Sequence, residues 1–293
     1  QVIAQQFAEN PDVVAVVGHV DSHVSIPNSL VYEYYGVLMI TPYSTSPRLT
    51  RKGLRYIFRA IPDDEVAGLE LADFCKRQGY RRVVVCHINN EYGVGLANAF
   101  EKECERDGIS VLDRVSYDSF SGAREFNKAL SSLKDNFEFD AIFIAGVVPQ
   151  AAVLIQEARK LGVNVPIVGS DGLDTESLIA VAGPAAENTF VGSTFHPADP
   201  RPEAQAFVKA FQARYGKFPD TGAAQGYDCL RVLAHAMERA GTTAPDRVAE
   251  ALRGTTNWPG VTGAFGLDGD GNHTGAGVTI KQVRNGRLEL FGR

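Results

Sequence analysis

The chain has 293 residues, 44% hydrophobic and 22% charged, a composition typical of folded proteins rather than of disordered or collagen-like chains. Its 29 Lys and Arg against 35 Asp and Glu give a net charge of −6, which offers no basic surface for nucleic acid. No stretch approaches the roughly 18 consecutive apolar residues of a membrane span. The length allows two domains, and we predict a soluble protein.

Short β-branched runs alternate with amphipathic segments from Val13 to Gly169. A helical pattern at Val2–Ala8 comes before the first run, so we expect a strand to precede Gln1 in the natural protein. The runs predicted as strands are Val13–Val17, Val37–Ile40, Arg82–Ile88, Ala141–Ala145 and Val165–Gly169. The segments predicted as helices are Val66–Arg77, Gly95–Arg106, Ala123–Leu133 and Ala151–Leu161. This alternation predicts an α/β fold with buried parallel strands.

The carboxy-terminal third has a different pattern, with longer helices and fewer strands. The predicted elements are helices at Pro202–Tyr215, Thr221–Ala240 and Pro245–Leu252, then a strand at Val278–Val283 and a turn at Asn285-Gly286. The four cysteines form no C-x-x-C pair, which favours buried thiols over a disulfide or a metal site.

Hydroxyl-rich loops follow two of the first predicted strands. Ser22 lies in one loop, and the other contains Thr41–Pro47. In a parallel sheet both loops reach the same carboxyl edge, where hydroxyls beside helix-start amides suit a small carboxylate. Simple helix capping is the alternative. Asp171 follows a strand of the other half and either pairs with an ammonium group or caps the next helix.

Three other motifs are weak. Tyr92–Asn98 carries a G-x-G after a strand but lacks the third glycine of a dinucleotide site, which favours a tight turn. Asp268–Asn272 resembles the start of a calcium loop without its later ligands, which favours a glycine-rich hairpin turn. His19 and His23 are four residues apart but lack the H-E-x-x-H pattern of a zinc site.

An ordered series of motifs resembles the branched-chain amino-acid-binding proteins of ABC transporters, the type I periplasmic binding proteins. The resemblance covers essentially the whole chain, and the series is more specific than any one motif. The matching segments are Val17–Ser22, Val37–Pro47, Tyr56–Arg59, Glu91–Gly95, Gly169–Gly172, Tyr215–Lys217 and Gly260–Asp270.

The resemblance implies a protein of two Rossmann-like βα lobes joined by a three-segment hinge, with its amino-terminal strand missing. Lobe 1 would contain residues 1–62 and 196–262, and lobe 2 residues 63–195 and 263–293. It also implies an extracytoplasmic or periplasmic monomer, without cofactor, metal or catalysis. Closing of the cleft would capture an amino acid or related small carboxylate for a membrane permease.

The family pattern also implies the contacts of the ligand. The residues expected to bind its carboxylate and help with its ammonium are Ser22, the backbone of Tyr43 and Ser44, and Thr45. Asp171 takes the place of an acidic partner of the ammonium, where Glu is frequent, and Tyr92 that of an aromatic lining residue. Val147 stands where branched-chain binders often carry a tyrosine, so amino-acid recognition is better supported than Leu, Ile or Val specificity.

Two other functions remain open on the sequence. In the first, the same two-lobed module would serve as a ligand-binding sensor or receptor for an amide or an aromatic acid. A nucleotide-dependent α/β enzyme would instead bind ATP or NAD near Gly93 and Gly95.

Overall fold

Two units are built from separate stretches of the chain in the computed structural model, which describes residues 1–51 and 53–292. Unit 1 contains Gln1–Asp63 and Thr194–Gly277, and unit 2 contains Asp64–Ser193 and Val278–Arg293. The chain therefore passes from one unit to the other after residues 63, 193 and 277.

The third passage differs from the expected boundary at 262/263. The strand that begins at Gly263 pairs antiparallel with residues 258–260 before it and with residues 273–275 after it. This small sheet keeps residues 263–277 with unit 1, so the passage is corrected to 277/278.

Helices and strands alternate in both units, as the hydrophobic pattern predicts. The helices of the described residues are α1 (Val2–Glu9), α2 (Ser22–Tyr35), α3 (Asp64–Gln78), α4 (Glu91–Asp107), α5 (Ala123–Asn136), α6 (Gln150–Lys160), α7 (Glu176–Ala182), α8 (Pro202–Tyr215), α9 (Thr221–Ala240) and α10 (Pro245–Arg253). The strands are β1 (Ala15–Val17), β2 (Leu38–Thr41), β3 (Ile57–Arg59), β4 (Arg82–Ile88), β5 (Ser110–Tyr117), β6 (Ala141–Ala145), β7 (Ile167–Gly169), β8 (Thr189–Ser193), β9 (Trp258–Gly260), β10 (Gly263–Leu267), β11 (His273–Gly275), β12 (Thr279–Arg284) and β13 (Arg287–Leu290).

Unit 1 contains a parallel sheet in the order β1-β2-β3 and the antiparallel sheet β11-β10-β9. Its main core packs apolar residues of β2 and β3, such as Ile40 and Phe58, against α9, α10 and β10. The loops after β1 and β2 leave from the same carboxyl edge, which places Ser22 and the segment 41–46 next to each other.

Unit 2 contains one sheet in the order β13-β12-β8-β7-β6-β4-β5, parallel from β8 to β5. From β4 the chain steps outward to β5 and then returns to the other side of β4 for β6. Such a reversal of strand order opens a crevice at the carboxyl edge, where α/β proteins bind ligands. The loops that leave β4 and β6 lead to Tyr92 and Val147.

Most predicted strands and helices are present, and β4 and β6 are buried almost throughout. By contrast, β1 is only half-buried. The alternating polar strand β5 and the short β8 were not predicted, because neither is a continuous apolar run. The four cysteines are buried free thiols, as expected. Among the described residues, no helix has the length and apolar character needed to cross a bilayer.

Candidate ligand-binding site

The loop Tyr43–Ser46 of unit 1 is fastened to the start of α2 by hydroxyl groups. The Ser46 backbone amide donates a hydrogen bond to Ser22 Oγ over 3.2 Å, and Ser25 Oγ contacts Ser44 Oγ. Ser44 Oγ also donates to the carbonyl of His19 at 3.1 Å. Ser22, Ser44 and Thr45 are all buried. The structure thus brings together the unit 1 residues that the sequence singled out.

The backbone amides of Tyr43 and Ser44 have an internal acceptor in this structure. Both donate to Thr41 Oγ1, at 3.2 Å and 3.0 Å, and that hydroxyl in turn donates to the His19 carbonyl at 2.7 Å. The backbone of Tyr43 and Ser44 was expected to contact the ligand, and these two bonds shape the turn that carries it. Thr41 belongs to the hydroxyl-rich loop, but its role in shaping the turn was not predicted.

The hydroxyl of Thr45 differs from its neighbours. Thr45 is 2% exposed, and its Oγ1 has no hydrogen-bond partner among the described residues. A buried hydroxyl without a partner costs free energy, so such groups point to a ligand or an ordered water. Of the unit 1 side chains expected to bind ligand, Thr45 has the clearest capacity for an additional hydrogen bond.

A buried arginine donates hydrogen bonds to the backbone of this loop. Arg59, at the end of β3, is fully buried and donates from Nη1 to the Ser46 carbonyl at 2.6 Å and to the Ser44 carbonyl at 3.4 Å. Its Nε donates to Asn272 Oδ1 at 2.9 Å, and its Nη2 lies 3.6 Å from Asp63 Oδ2. Charge-assisted hydrogen bonds of this kind fix geometry strongly. Arg59 therefore sets the position of the hydroxyl-rich loop.

The second group of expected residues meets around Gly172 in unit 2. The Tyr92 hydroxyl donates to Asp171 Oδ1 at 3.1 Å and accepts a hydrogen bond from the Gly172 amide at 3.2 Å. A Cβ at Gly172 would lie 2.9 Å from Tyr92 Oη and 3.1 Å from Val147 Cγ1. Only glycine at position 172 leaves room for the Tyr92 and Val147 side chains to lie this close to the backbone. The structure thus brings Tyr92, Val147 and Asp171 together.

Asp171 does not cap the following helix, which was the alternative interpretation. The cap of α7 is Thr175, whose hydroxyl accepts a hydrogen bond from the Ser177 amide. Asp171 instead opens a short 3₁₀ turn, and among the described residues it makes no ion pair. Burial raises its pKa to about 6, although hydrogen bonds from Ser170 and Tyr92 favour the anion. This carboxylate is suited to receive a cation from outside the protein.

Burial and nearby carboxylates also keep Tyr92 in its phenol form. Desolvation, followed by the charges of Asp171 and Asp64, raises the pKa of Tyr92 well above its ordinary value. The neutral phenol can donate to Asp171 while it accepts from Gly172. Tyr92 therefore orients the Asp171 carboxylate as well as lining the site.

The weaker motifs have structural explanations. Gly93 lies in the first turn of α4, where a Cβ would overlap the Ile88 carbonyl, and a Cβ at Gly95 would meet Asp64. The Asp268 carboxylate accepts the amides of Asp270 and Asn272 within the β10–β11 hairpin. The prediction of a glycine-rich hairpin turn is thereby confirmed.

The histidine pair has no metal-like arrangement. His19 stacks on Tyr32 with its Nε2 3.2 Å from the phenol oxygen, and burial lowers the pKa of His19. No cluster of three or more His, Cys, Asp or Glu side chains in the described part of the chain is arranged to hold a metal ion.

Similarity to known proteins identifies the family of the chain. The family model described as periplasmic binding protein matches residues 1–287. A leucine-, isoleucine-, valine-, threonine- and alanine-binding protein from Pseudomonas aeruginosa is 32% identical over 265 residues, covering 90% of this chain and 69% of the relative.

Solved structures of similar proteins have the same fold. A leucine binding protein from Thermotoga maritima matches with a TM-score of 0.92 and 34% identity, over 98% of this chain and 81% of that one. An ABC transporter substrate-binding protein from Desulfitobacterium hafniense, in complex with Leu, matches with a TM-score of 0.88 and 36% identity. The match covers 99% of this chain and 84% of that one. The expected two-lobe type I fold is thereby confirmed, and the chain belongs to the periplasmic binding protein family.

Proposed function

We propose that this chain is an extracytoplasmic solute-binding protein that takes an amino acid or a closely related small carboxylate to an ABC transporter permease. The ligand is bound and released unaltered, without cofactor or catalysis. The similarity to amino-acid-binding relatives supports this proposal, and so does the chemistry of the two groups of residues described above.

The observation that carries the proposal is the state of Asp171. A poorly solvated carboxylate without a cation among the described residues, held in place by a phenol, suits the ammonium group of an amino acid. The hydroxyl of Thr45 and the neighbouring hydroxyls of unit 1 offer neutral donors to the ligand carboxylate. We therefore propose Asp171 as the partner of a ligand ammonium, and the hydroxyls of unit 1 as groups suited to a carboxylate.

The surface near Val147 indicates a class of ligand side chains rather than one amino acid. Val147 supplies an apolar surface next to Tyr92 and Gly172 and no hydroxyl to the ammonium. Asp171 and the phenol-held geometry then carry more of the amino-group recognition. Small to medium aliphatic amino acids fit this surface best.

A ligand series tests the function directly. Leucine, its deaminated analogue 4-methylpentanoate and its decarboxylated analogue 3-methylbutylamine differ by one charged group each. A ligand at 100 times its Kd stabilises a protein by about 2.7 kcal/mol, so a bound amino acid raises the Tm by several degrees. We expect amino acids to do so far below the concentrations that the two analogues need. Equal responses to an amino acid and its deaminated analogue would contradict the assignment of Asp171 to a ligand ammonium.

A further inference from the structure

A buried ion pair lies three residues beyond Asp171. Lys281 Nζ is 2.8 Å from Asp174 Oδ1 and 3.1 Å from Oδ2, and the two side chains are 6% and 2% exposed. Ser193 Oγ donates a third hydrogen bond to Asp174 Oδ2 at 2.6 Å. Asp174 is thus held on both oxygens by groups from two different strands.

The strands that supply these groups are neighbours in the sheet of unit 2. Ser193 ends β8, and Lys281 is the third residue of β12, which pairs antiparallel with β8. Ser193 is the last residue before the chain leaves unit 2, and Val278 is the first after it returns. The ion pair therefore ties the segment 171–174 to the two strands that join unit 2 to the rest of the chain.

Stability alone is a weak reason for such a pair. Burying two charges costs desolvation energy, and well-packed apolar residues in their place are often as stable or more so. The pair does, however, change the electrostatics of its surroundings. Asp171 and Asp174 share one short segment, and the charge of Asp174 is among the causes that raise the pKa of Asp171.

The other groups around Asp171 do not supply a compensating positive charge. Tyr92 on α4 and Ser170 in the preceding loop donate hydrogen bonds to it, and Asp64 on α3 adds a further negative charge near Tyr92. Val147, from the loop after β6, contributes an apolar surface. Lys281 on β12 is the cation that the structure places on this segment, and it lies on Asp174.

We propose that Lys281 is a positioning residue for ligand binding, which neutralises and clamps Asp174 so that Asp171 is the one carboxylate of its segment open to the ligand ammonium. This inference rests on the proposed function, because it assigns the ammonium to Asp171. It goes beyond that function by giving the buried pair control over the pH range in which ligand binds.

Two single substitutions test the proposal because they shift the pH profile in opposite directions. Lys281→Met removes the positive charge beside Asp174, so the pH midpoint of leucine affinity rises by about one unit and binding at pH 6 weakens about fivefold. Asp174→Asn removes the negative charge beside Lys281, so the midpoint falls by about one unit and binding at pH 5 tightens about fivefold. Calorimetric titrations with leucine between pH 5 and pH 8 measure both.

The double variant and two further variants separate charge from packing. Asp174→Asn combined with Lys281→Met removes both charges, and its profile returns to within about threefold of wild type. Lys281→Arg keeps the charge and the wild-type midpoint. Lys76→Met removes a half-exposed lysine paired with Asp107 and changes neither midpoint nor affinity. If Lys281→Met does not fold, the downward shift in Asp174→Asn still tests the proposal.

The outcomes distinguish this inference from the proposed function. Asp171→Asn should weaken leucine binding and abolish its pH dependence, and unchanged affinity in that variant would contradict the function itself. If Asp171→Asn loses affinity while the two single variants shift alike, or not at all, only the role of Lys281 is contradicted. A loss of the same size at every pH would indicate packing and would also overturn it.

Discussion

The two groups of candidate ligand residues use opposite chemistry. In unit 1, the candidate residues Ser22, Ser44 and Thr45 carry neutral hydroxyls, and the buried Arg59 donates to carbonyls of their loop and pairs with Asp63. In unit 2, the candidate residue is an ionisable carboxylate, Asp171, which makes no ion pair among the described residues. Neutral donors bind a carboxylate without depending on pH, whereas a poorly solvated carboxylate binds only when it is ionised.

A buried ion pair supports each group of candidate residues: Arg59–Asp63 in unit 1 and Lys281–Asp174 in unit 2. Arg59 clamps two carbonyls of the unit 1 loop, and Lys281 clamps Asp174 beside Asp171. In each unit, a buried cation fixes the backbone or the carboxylate next to the candidate residues. The two groups differ in the charge of the side chain that is proposed to bind the ligand.

The largest effect is expected from breaking the clamp in unit 1. Arg59→Met removes the guanidinium from two loop carbonyls and from Asp63, and truncating one partner of a buried pair costs about 3–5 kcal/mol. Urea unfolding followed by calorimetry should show this loss together with a loss of ligand binding. Arg55→Met is the control: its ion pair with Asp246 is exposed, so about 0–1 kcal/mol is expected. Equal losses in the two variants would contradict the role of Arg59.

The next substitution separates ligand binding from folding within unit 1. Thr45→Val removes a buried hydroxyl without a partner, so affinity should fall about tenfold while the free energy of unfolding stays the same or rises. Thr41→Val removes a hydroxyl that bonds three backbone groups and should instead destabilise by about 1–3 kcal/mol. Stability lost by Thr45→Val without loss of affinity would remove Thr45 from the site.

The pH dependence of affinity tests the charged side of the comparison. Burial raises the pKa of Asp171 to about 6, and the ligand ammonium requires the ionised form. Affinity should therefore be full above pH 7 and fall as the pH drops through about 6, with about a tenfold loss at pH 5. Calorimetry across this range measures it, and Asp171→Asn should make the profile flat. A flat profile for the wild-type protein would exclude Asp171 as the ammonium partner.

A smaller effect is expected from the phenol that orients Asp171. Tyr92→Phe removes the donor to Asp171 Oδ1, so the pKa of Asp171 should rise further and affinity at pH 7 should fall about threefold to tenfold. Tyr80→Phe is a matched control in the same unit, because Tyr80 precedes β4, at the opposite end of that strand from Tyr92, and packs against Phe74. Thermal-shift titrations should separate the two, and an equal loss in both would contradict the role of the Tyr92 hydroxyl.

The sequence predicted the alternation of strands and helices because apolar periodicity reports burial locally. The family resemblance implied Tyr92, Val147 and Asp171 as ligand residues, and the structure brings these three residues together. It did not predict the third passage between units, because the pairing of β10 with β9 and β11 depends on turns rather than on periodicity.

The supporting residues were harder to predict than the ligand-facing ones. Arg59 lies in the apolar strand Ile57-Phe58-Arg59, and a charge in such a run was the available signal of a buried role. Lys281 lies in an alternating strand where a lysine ordinarily faces solvent, and its partner Asp174 is 107 residues away. A sequence pattern carries no information about a pairing over that separation, so both residues required the structure.

The central claim is that Asp171 receives the ammonium group of an amino acid. Its most direct test is a cycle of calorimetric titrations at pH 7.5, with leucine and 4-methylpentanoate against wild type and Asp171→Asn. The account predicts that Asp171→Asn weakens leucine by about ten- to a hundredfold and leaves the affinity for 4-methylpentanoate unchanged or stronger. An equal loss for both ligands would contradict it, because the effect would then not involve the amino group.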